Sequence, residues 1–386
     1  MIQQITRWGK LVPVMLSFMV MGFVDIIGVA TGYIRQDFEI TNFAAQFLPM
    51  MVLVWFFVLA VPAGVIQDKL GKRKMLVYGM IIQAIGLCLP FMHYSFPVMF
   101  VSFLILGIGN TLIQVSSNPL LQDVSPADKL PSFLSTGQFI KAIISFSGPL
   151  ITTYFAIHTG NWKLVLAVYG ISSFLVAVWL TLTPITESTP DRKPATFSSC
   201  FSLLKNNFVV IMALSIFLIV GAEVAINTNI ANILSGKFDL SLETAVIGIS
   251  VFFAGETIAR LLGAIILNWI KPRPFLIITA LVSIIGIIGI YLAPEYITAM
   301  VFIFITGLGA GNMFPIIFSI SLERMSDRAN EISGLLIMAI SGGAVIPPIV
   351  GFVSLKVSPV ASLLVIGACM VYILWVSFYV KKSRQQ

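Results

Sequence analysis

The sequence predicts an all-α integral membrane protein with twelve transmembrane helices in two pseudo-symmetric six-helix bundles. Three observations predict it. Only 10% of the 386 residues are charged and 58% are hydrophobic, where an ordinary soluble domain carries roughly 25% charge. Apolar runs of about 20 residues, long enough to span a bilayer as a helix, recur from end to end. The two halves also resemble each other at an offset of about 200 residues, with Gly107-x-Gly109 answering Gly307-x-Gly309 and the loop 120–129 answering 321–330.

In the first half the predicted spans are 11–34, 43–66, 75–93, 97–121, 133–156 and 163–183. Helix 1 has Met21-Gly22-Phe23-Val24-Asp25, a carboxylate in mid-span. Helix 2 contains Trp55-Phe56-Phe57 and ends near Gly64, and helix 3 is plainly apolar. Helix 4 holds Gly107-x-Gly109, then Gln114 and Asn118-Pro119. Helix 5 opens with Leu134-Ser-Thr-Gly-Gln138 and continues to Lys141 and Gly148-Pro149; helix 6 is apolar. A polar stretch then separates residues 1–183 from 207–386, so 184–206 is read as a linker between two bundles.

The second-half spans are 207–234, 242–269, 275–293, 297–321, 332–354 and 358–380. Helix 7 has Gly221-Ala222-Glu223, and the following Ala225–Asn229 reads as a broken-helix region rich in amides. Helix 8 carries Glu256 and Arg260 at i, i+4, hence on one face. Helices 9 and 12 are apolar. Helix 10 has Asn312 and Pro315, and helix 11 is bent by Pro347-Pro348.

The net charge of +7 follows from topology rather than from nucleic-acid binding. Seventeen Lys and Arg fall in one alternate set of loops, and four (Arg35, Lys163, Lys237 and Lys356) in the other. The positive-inside rule places both termini in the cytoplasm, in a plasma membrane or bacterial inner membrane. The three cysteines suggest no disulfide framework. No ATP-binding loop, metal-ligand cluster or cofactor motif is present, which excludes a self-contained pump and argues against an enzyme.

Five ionisable side chains lie inside predicted spans: Asp25, Lys141, Glu223, Glu256 and Arg260. Each costs about 2.5–3.5 kcal/mol at a bilayer centre on the insertion scale, so they are expected to face an internal polar space and to mark a transport path. Gln114, Asn118, Gln138, Asn227 and Asn312 add amides that donate and accept. Trp55 offers a ring for stacking. Taken singly, each of these side chains reads more readily as an interhelical hydrogen bond than as a solute contact; as a set they favour a polar cavity.

The loop between helices 2 and 3 runs Gly64-Val-Ile-Gln-Asp68-Lys69-Leu-Gly71-Lys72-Arg73-Lys74. It resembles the signature of the major facilitator superfamily. Gly64, Asp68, Gly71 and Arg73 are read as a conformational latch, whereas Lys72 and Lys74 by themselves need only the positive-inside rule. Gln114-Val-Ser-Ser-Asn118-Pro119, Gly137-Gln138-Phe139, Gly221-Ala-Glu223, Arg260-Leu-Leu-Gly263 and Asn312-Met-Phe-Pro315 together resemble the fucose permease branch, which holds proton-coupled importers of fucose, glucose and galactose. The resemblance implies that Asp25 is the coupling acid. It departs at Gln114, where the branch has a glutamate, and at Lys141, where it has an asparagine.

The expected activity is proton-coupled import of a sugar-like solute by a monomer with no cofactor. Asp25, Lys141, Glu223 and Glu256 are the proton-coupling candidates. Lys141 also serves as a solute contact, with Gln114, Asn118, Gln138, Asn227, Asn312 and Trp55. Arg260 joins the latch as a gating residue. Lys141 is read as the partner of Asp25, as a clamp for an acidic sugar or organic anion, or as a snorkelling side chain. Glu256 and Arg260 form an intrahelical pair or contribute a gate. Proton-driven export of lipophilic compounds is the remaining alternative.

Overall fold

A computed structural model of the chain describes residues 2–40, 47–188, 195–240, 242–245 and 247–382. Part of the expected linker, residues 189–194, lies outside them. Among the described residues, twelve helices are long and apolar enough to cross a membrane: α1 Gly9–Asp37, α2 Leu48–Leu70, α3 Lys72–Phe91, α4 Phe96–Val124, α5 Ala127–Thr159, α6 Leu164–Leu182, α7 Asn207–Phe238, α8 Ile247–Ile266, α9 Pro272–Leu292, α10 Tyr296–Arg324, α11 Ser326–Lys356 and α12 Leu363–Val380. In lipid every backbone polar group needs an internal partner, and the helix supplies it. Phe57, Phe146, Leu182 and Leu355 stand exposed, while Phe18, Phe103, Phe252 and Phe318 are fully buried.

Local sequence explains several ends. Pro97 and Pro272 sit in the first turns of α4 and α9, where a missing N–H costs nothing. The Asn206 side chain accepts from the Phe208 N–H at 2.9 Å and starts α7. Gly160, at φ +66°, ends α5. The two loops expected at 120–129 and 321–330 are shorter than the sequence suggests. Each is mostly helix, with a 3-10 turn at Ala127–Lys129 and at Ser326–Arg328.

The chain forms two compact units. The first comprises Met1–Leu130, Gly137–Leu203 and Met325–Met338; the second comprises Pro131–Thr136, Leu204–Arg324 and Ala339–Gln386. Both are built on the same glycine contacts. In the first, a Cβ on Gly107 would meet the Val52 backbone of α2 at 2.7 Å, and one on Gly109 would meet the Gln83 backbone of α3 at 2.6 Å. In the second, Gly307 lies against Phe252 of α8 and Gly309 against Ser283 of α9 in the same way. Small residues let membrane helices approach this closely. The Gly-x-Gly repeat is thus a pair of equivalent helix joints.

A second equivalence involves the crossings of α1 with α5 and of α7 with α11. A Cβ on Gly22 would lie 2.9 Å from the Lys141 carbonyl, and one on Gly221 would lie 3.0 Å from the Gly342 carbonyl. Within the first unit, a clip ties the end of α1 to the turns before α4 and α6. The Tyr94 hydroxyl and the Trp162 indole donate to Asp37 at 2.5 and 2.9 Å, and Lys163 lies over the Tyr94 ring. Burial, and then the bond to Asp37, push the Tyr94 phenol far above its usual range, so it stays a donor.

Candidate functional site

α1 is not a continuous α-helix. It tightens to a 3-10 turn at Phe23–Ile26, and Asp25 sits on that turn with its side chain exposed. Neighbouring helices support the break. Gln83 of α3 donates to the Val20 carbonyl at 2.7 Å, and Asn110 of α4 donates to the Met21 carbonyl at 3.0 Å. Both amides are fully buried, so these bonds hold carbonyls that the irregular turn leaves available. Phe23 stacks on Tyr169 of α6 with ring centroids 4.1 Å apart.

Sequence reasoning offers Lys141 as one partner for Asp25. The structure differs. Asp25 is exposed, and the Ser145 hydroxyl donates to its carboxylate. Lys141 reaches this site through its carbonyl, which packs against Gly22 and accepts from Ser145 at 2.9 Å. No ion pair joins Lys141 to Asp25 among the described residues.

The amides of α4 form a chain. Gln114 donates to the Asn110 side chain at 2.9 Å, and Asn110 donates in turn to Gln83 at 3.2 Å. Gln114 therefore supports the α1 break with its amide nitrogen. Asn118 is buried, donates weakly to the Gln114 carbonyl, and its Oδ1 has no partner among the described residues. Gln138 is also buried. Trp55 is half-buried, with its ring edge against Gly107, a packing position for a residue expected to stack on a solute.

In the second unit, Glu256 is buried and forms the intrahelical ion pair with Arg260. This is the pairing that i, i+4 spacing predicts, and it partly neutralises both charges within the helix. Asn312 is 1% exposed. It donates to the Ala259 carbonyl and packs against Gly263, so it ties α10 to α8 rather than facing solvent. Glu223 and Asn227 are half-buried on α7. The expected break at Ala225–Asn229 is absent: the helix runs unbroken through Asn207–Phe238. Thr228 and Asn229 bond back to the Val224 and Ala225 carbonyls at 2.9 and 3.0 Å, which leaves the helix intact. Among the described residues no cluster is placed to hold a metal ion. An apolar crevice of about 290 Å3 lined by Ile285, Gly289, Leu292 and Phe302 offers little to a hydrophilic solute.

The α2–α3 turn has detailed partners within the first unit. Asp68 accepts from the Ala195 N–H at 2.6 Å and from the Asn330 amide at 2.8 Å. A Cβ on Gly64 would fall 2.7 Å from the Asn330 carbonyl, so this glycine lets α11 lie directly on α2. Gly71 has φ +93°, open only to glycine at low cost, and its bare face admits the Glu187 carboxylate. Glu187 accepts from the Lys72 and Arg73 N–H groups, capping α3, and Arg73 donates to the Thr183 carbonyl at 2.5 Å. Lys72 is more than a loop charge. It is buried and pairs with Asp123 at 2.7 Å. Sequence reasoning missed Glu187, Asp123, Asn330 and Ser145, whose partners lie far off along the chain.

Residues 14–348 match the family model described as Major Facilitator Superfamily. The chain belongs to the major facilitator superfamily. Members are transporters, not enzymes. This superfamily chain is 25% identical over 394 residues to a putative glucose/galactose transporter of Helicobacter pylori, covering 96% of this chain and 95% of that one. It is 22% identical to the L-fucose-proton symporter of Escherichia coli, covering 83% and 81%. Among solved structures, an E. coli fucose:proton symporter superposes with a TM-score of 0.83 at 17% identity, covering 96% of this chain and 98% of that one. These likenesses agree with the resemblance to the fucose permease branch read from the motifs.

The Gly64 contact gives a direct test. Gly64→Val should lift the Met325–Met338 segment off α2. In a background freed of Cys88, Cys200 and Cys369, a cysteine replacing Ser333, which is fully buried and bonds the Val115 carbonyl at 2.7 Å, should then react with thiol reagents at least tenfold faster. Unchanged labelling would show that Gly64 does not hold this segment.

Proposed function

We propose that this protein imports a sugar or sugar-like hydrophilic solute together with protons by alternating access, with Asp25 as the coupling acid. The observation that carries the reading is the exposed mid-span carboxylate on the irregular turn of α1. A charge there is expensive in hydrocarbon, and two neighbouring helices spend buried amides on keeping its turn in place. Near-full-length likeness to relatives described as glucose/galactose transporters supports a sugar, and likeness to an L-fucose-proton symporter supports the coupling. The loop charge bias supports cytoplasmic termini in a bacterial inner membrane. The working unit is a monomer, and the α2–α3 turn acts as its latch.

The test is external pH in a weakly buffered suspension of de-energised vesicles containing the protein. Glucose, galactose and fucose are added one at a time, then their acidic counterparts. Alkalinisation with a neutral sugar is the expected result. No response to any of them would remove proton-coupled sugar import.

One observation favours a second reading, import of an acidic sugar or organic anion. Lys141 has no ion-pair partner among the described residues, so its ammonium is available to a ligand. Lys141→Gln is then expected to weaken binding of a sugar acid by about 10- to 100-fold, the worth of a charged hydrogen bond, while changing neutral-sugar binding little. Equal losses for both would eliminate the anion reading.

A further inference from the structure

Ser145 stands one helical turn beyond Lys141 on α5, facing the irregular turn of α1. Its hydroxyl lies within bonding distance of two oxygens, the Asp25 carboxylate and the Lys141 carbonyl, the latter at 2.9 Å. A hydroxyl has one proton to give and lone pairs with which to accept. The Lys141 carbonyl only accepts. The Asp25 carboxyl accepts when ionised and donates when protonated. Two complete arrangements therefore exist. With Asp25 ionised, Ser145 gives its proton to the carboxylate. With Asp25 protonated, the carboxyl O–H donates to Ser145 Oγ, and the Ser145 proton turns to the Lys141 carbonyl.

We propose that Ser145 is a positioning residue for Asp25, a hydroxyl rotor that keeps the acid bonded to α5 in both protonation states. No proton passes through Ser145. Asp25 takes its proton from water, and the hydroxyl only turns. The consequence is mechanical as well as electrostatic. The α1–α5 crossing is close, with Gly22 directly on the Lys141 carbonyl, and the rotor lets Asp25 load and unload a proton without parting that joint. Other groups around Asp25 do not duplicate the role. Tyr169 of α6 stacks on Phe23, two residues before Asp25, Lys141 of α5 stands one helical turn before Ser145, and α3 and α4 present the neutral amides Gln83 and Asn110.

The inference rests on the reading of Asp25 as the coupling acid, so its test uses a readout that needs no transport. Infrared difference spectra of the purified full chain, titrated from acid to neutral pH, give a protonated-carboxyl band for Asp25. Its absence in Asp25→Asn assigns it. A hydrogen bond to an ion is roughly twice as strong as one to a neutral group. Ser145→Ala should thus move the titration midpoint upward by about half to one pH unit and shift the band toward that of an unbonded carboxyl. Ser145→Thr, which retains the hydroxyl, should restore both. An unmoved midpoint in Ser145→Ala, a downward shift, or the same shift in Ser145→Thr would overturn the proposal. If the midpoint moves as expected while no sugar alkalinises the medium, the rotor stands and the symport reading falls.

Discussion

Asp25→Asn is expected to abolish concentrative uptake while sparing exchange of solute between two loaded sides. The substitution is nearly isosteric, and the asparagine carbonyl still accepts from Ser145, so the α1 turn keeps this side-chain bond to α5. The exposed position leaves no buried charge behind. What disappears is the proton. A potential of about 100 mV acting on one charge is worth about 2.3 kcal/mol, or accumulation of roughly fiftyfold. In Asp25→Asn the ratio should fall to parity in energised vesicles, with labelled solute still exchanging at a rate near wild type. Loss of exchange as well would mean that Asp25 binds solute or supports the fold, and its coupling role would be withdrawn.

The fold was legible because bilayer thickness imposes its length on the sequence. Twelve apolar runs survive as twelve helices, with ends moved by a few residues where 3-10 turns extend them. The Gly-x-Gly repeat was legible for a related reason: close helix contact demands small residues, and the same contact is built twice. The site was less legible because side-chain direction depends on helix rotation. Lys141 and Ser145 are four residues apart and share a face, and composition alone favours the lysine as partner for an aspartate. The structure places the serine there. The helix break was misassigned for a second reason. Asn227 and Asn229 look like breakers, yet Asn229 bonds back within its own helix. α1 instead breaks where donors arrive from elsewhere, from Gln83 and Asn110. The motif at Gly64–Arg73 gave no sign of the partners its residues take, because Asn330 and Glu187 stand far away in sequence.

Asp123→Ala is expected to be among the most destabilising single changes in the chain. Lys72 and Asp123 pair at 2.7 Å with side chains 4% and 3% exposed. Neither is well placed alone. Lys72 is the first residue of α3, where the helix dipole disfavours a cation, and Asp123 lies in the last turn of α4, where it disfavours an anion. Each offsets the other, and Ser188 bonds both. Removing the carboxylate strands a buried ammonium, which costs about 3–5 kcal/mol. Lys72→Met should cost a comparable amount, since it strands the Asp123 carboxylate in the same way and the Ser188 hydroxyl remains in either variant. Combining Lys72→Met with Asp123→Leu should recover most of the loss, because replacing both members of a buried pair by apolar groups is often neutral. Thermal unfolding of the four proteins in detergent closes the double-mutant cycle. The coupling should change little with salt, since a buried pair is poorly screened. Additive single effects, or a coupling that vanishes at high salt, would show that the pair behaves as a surface contact and that Glu187 alone fixes the start of α3.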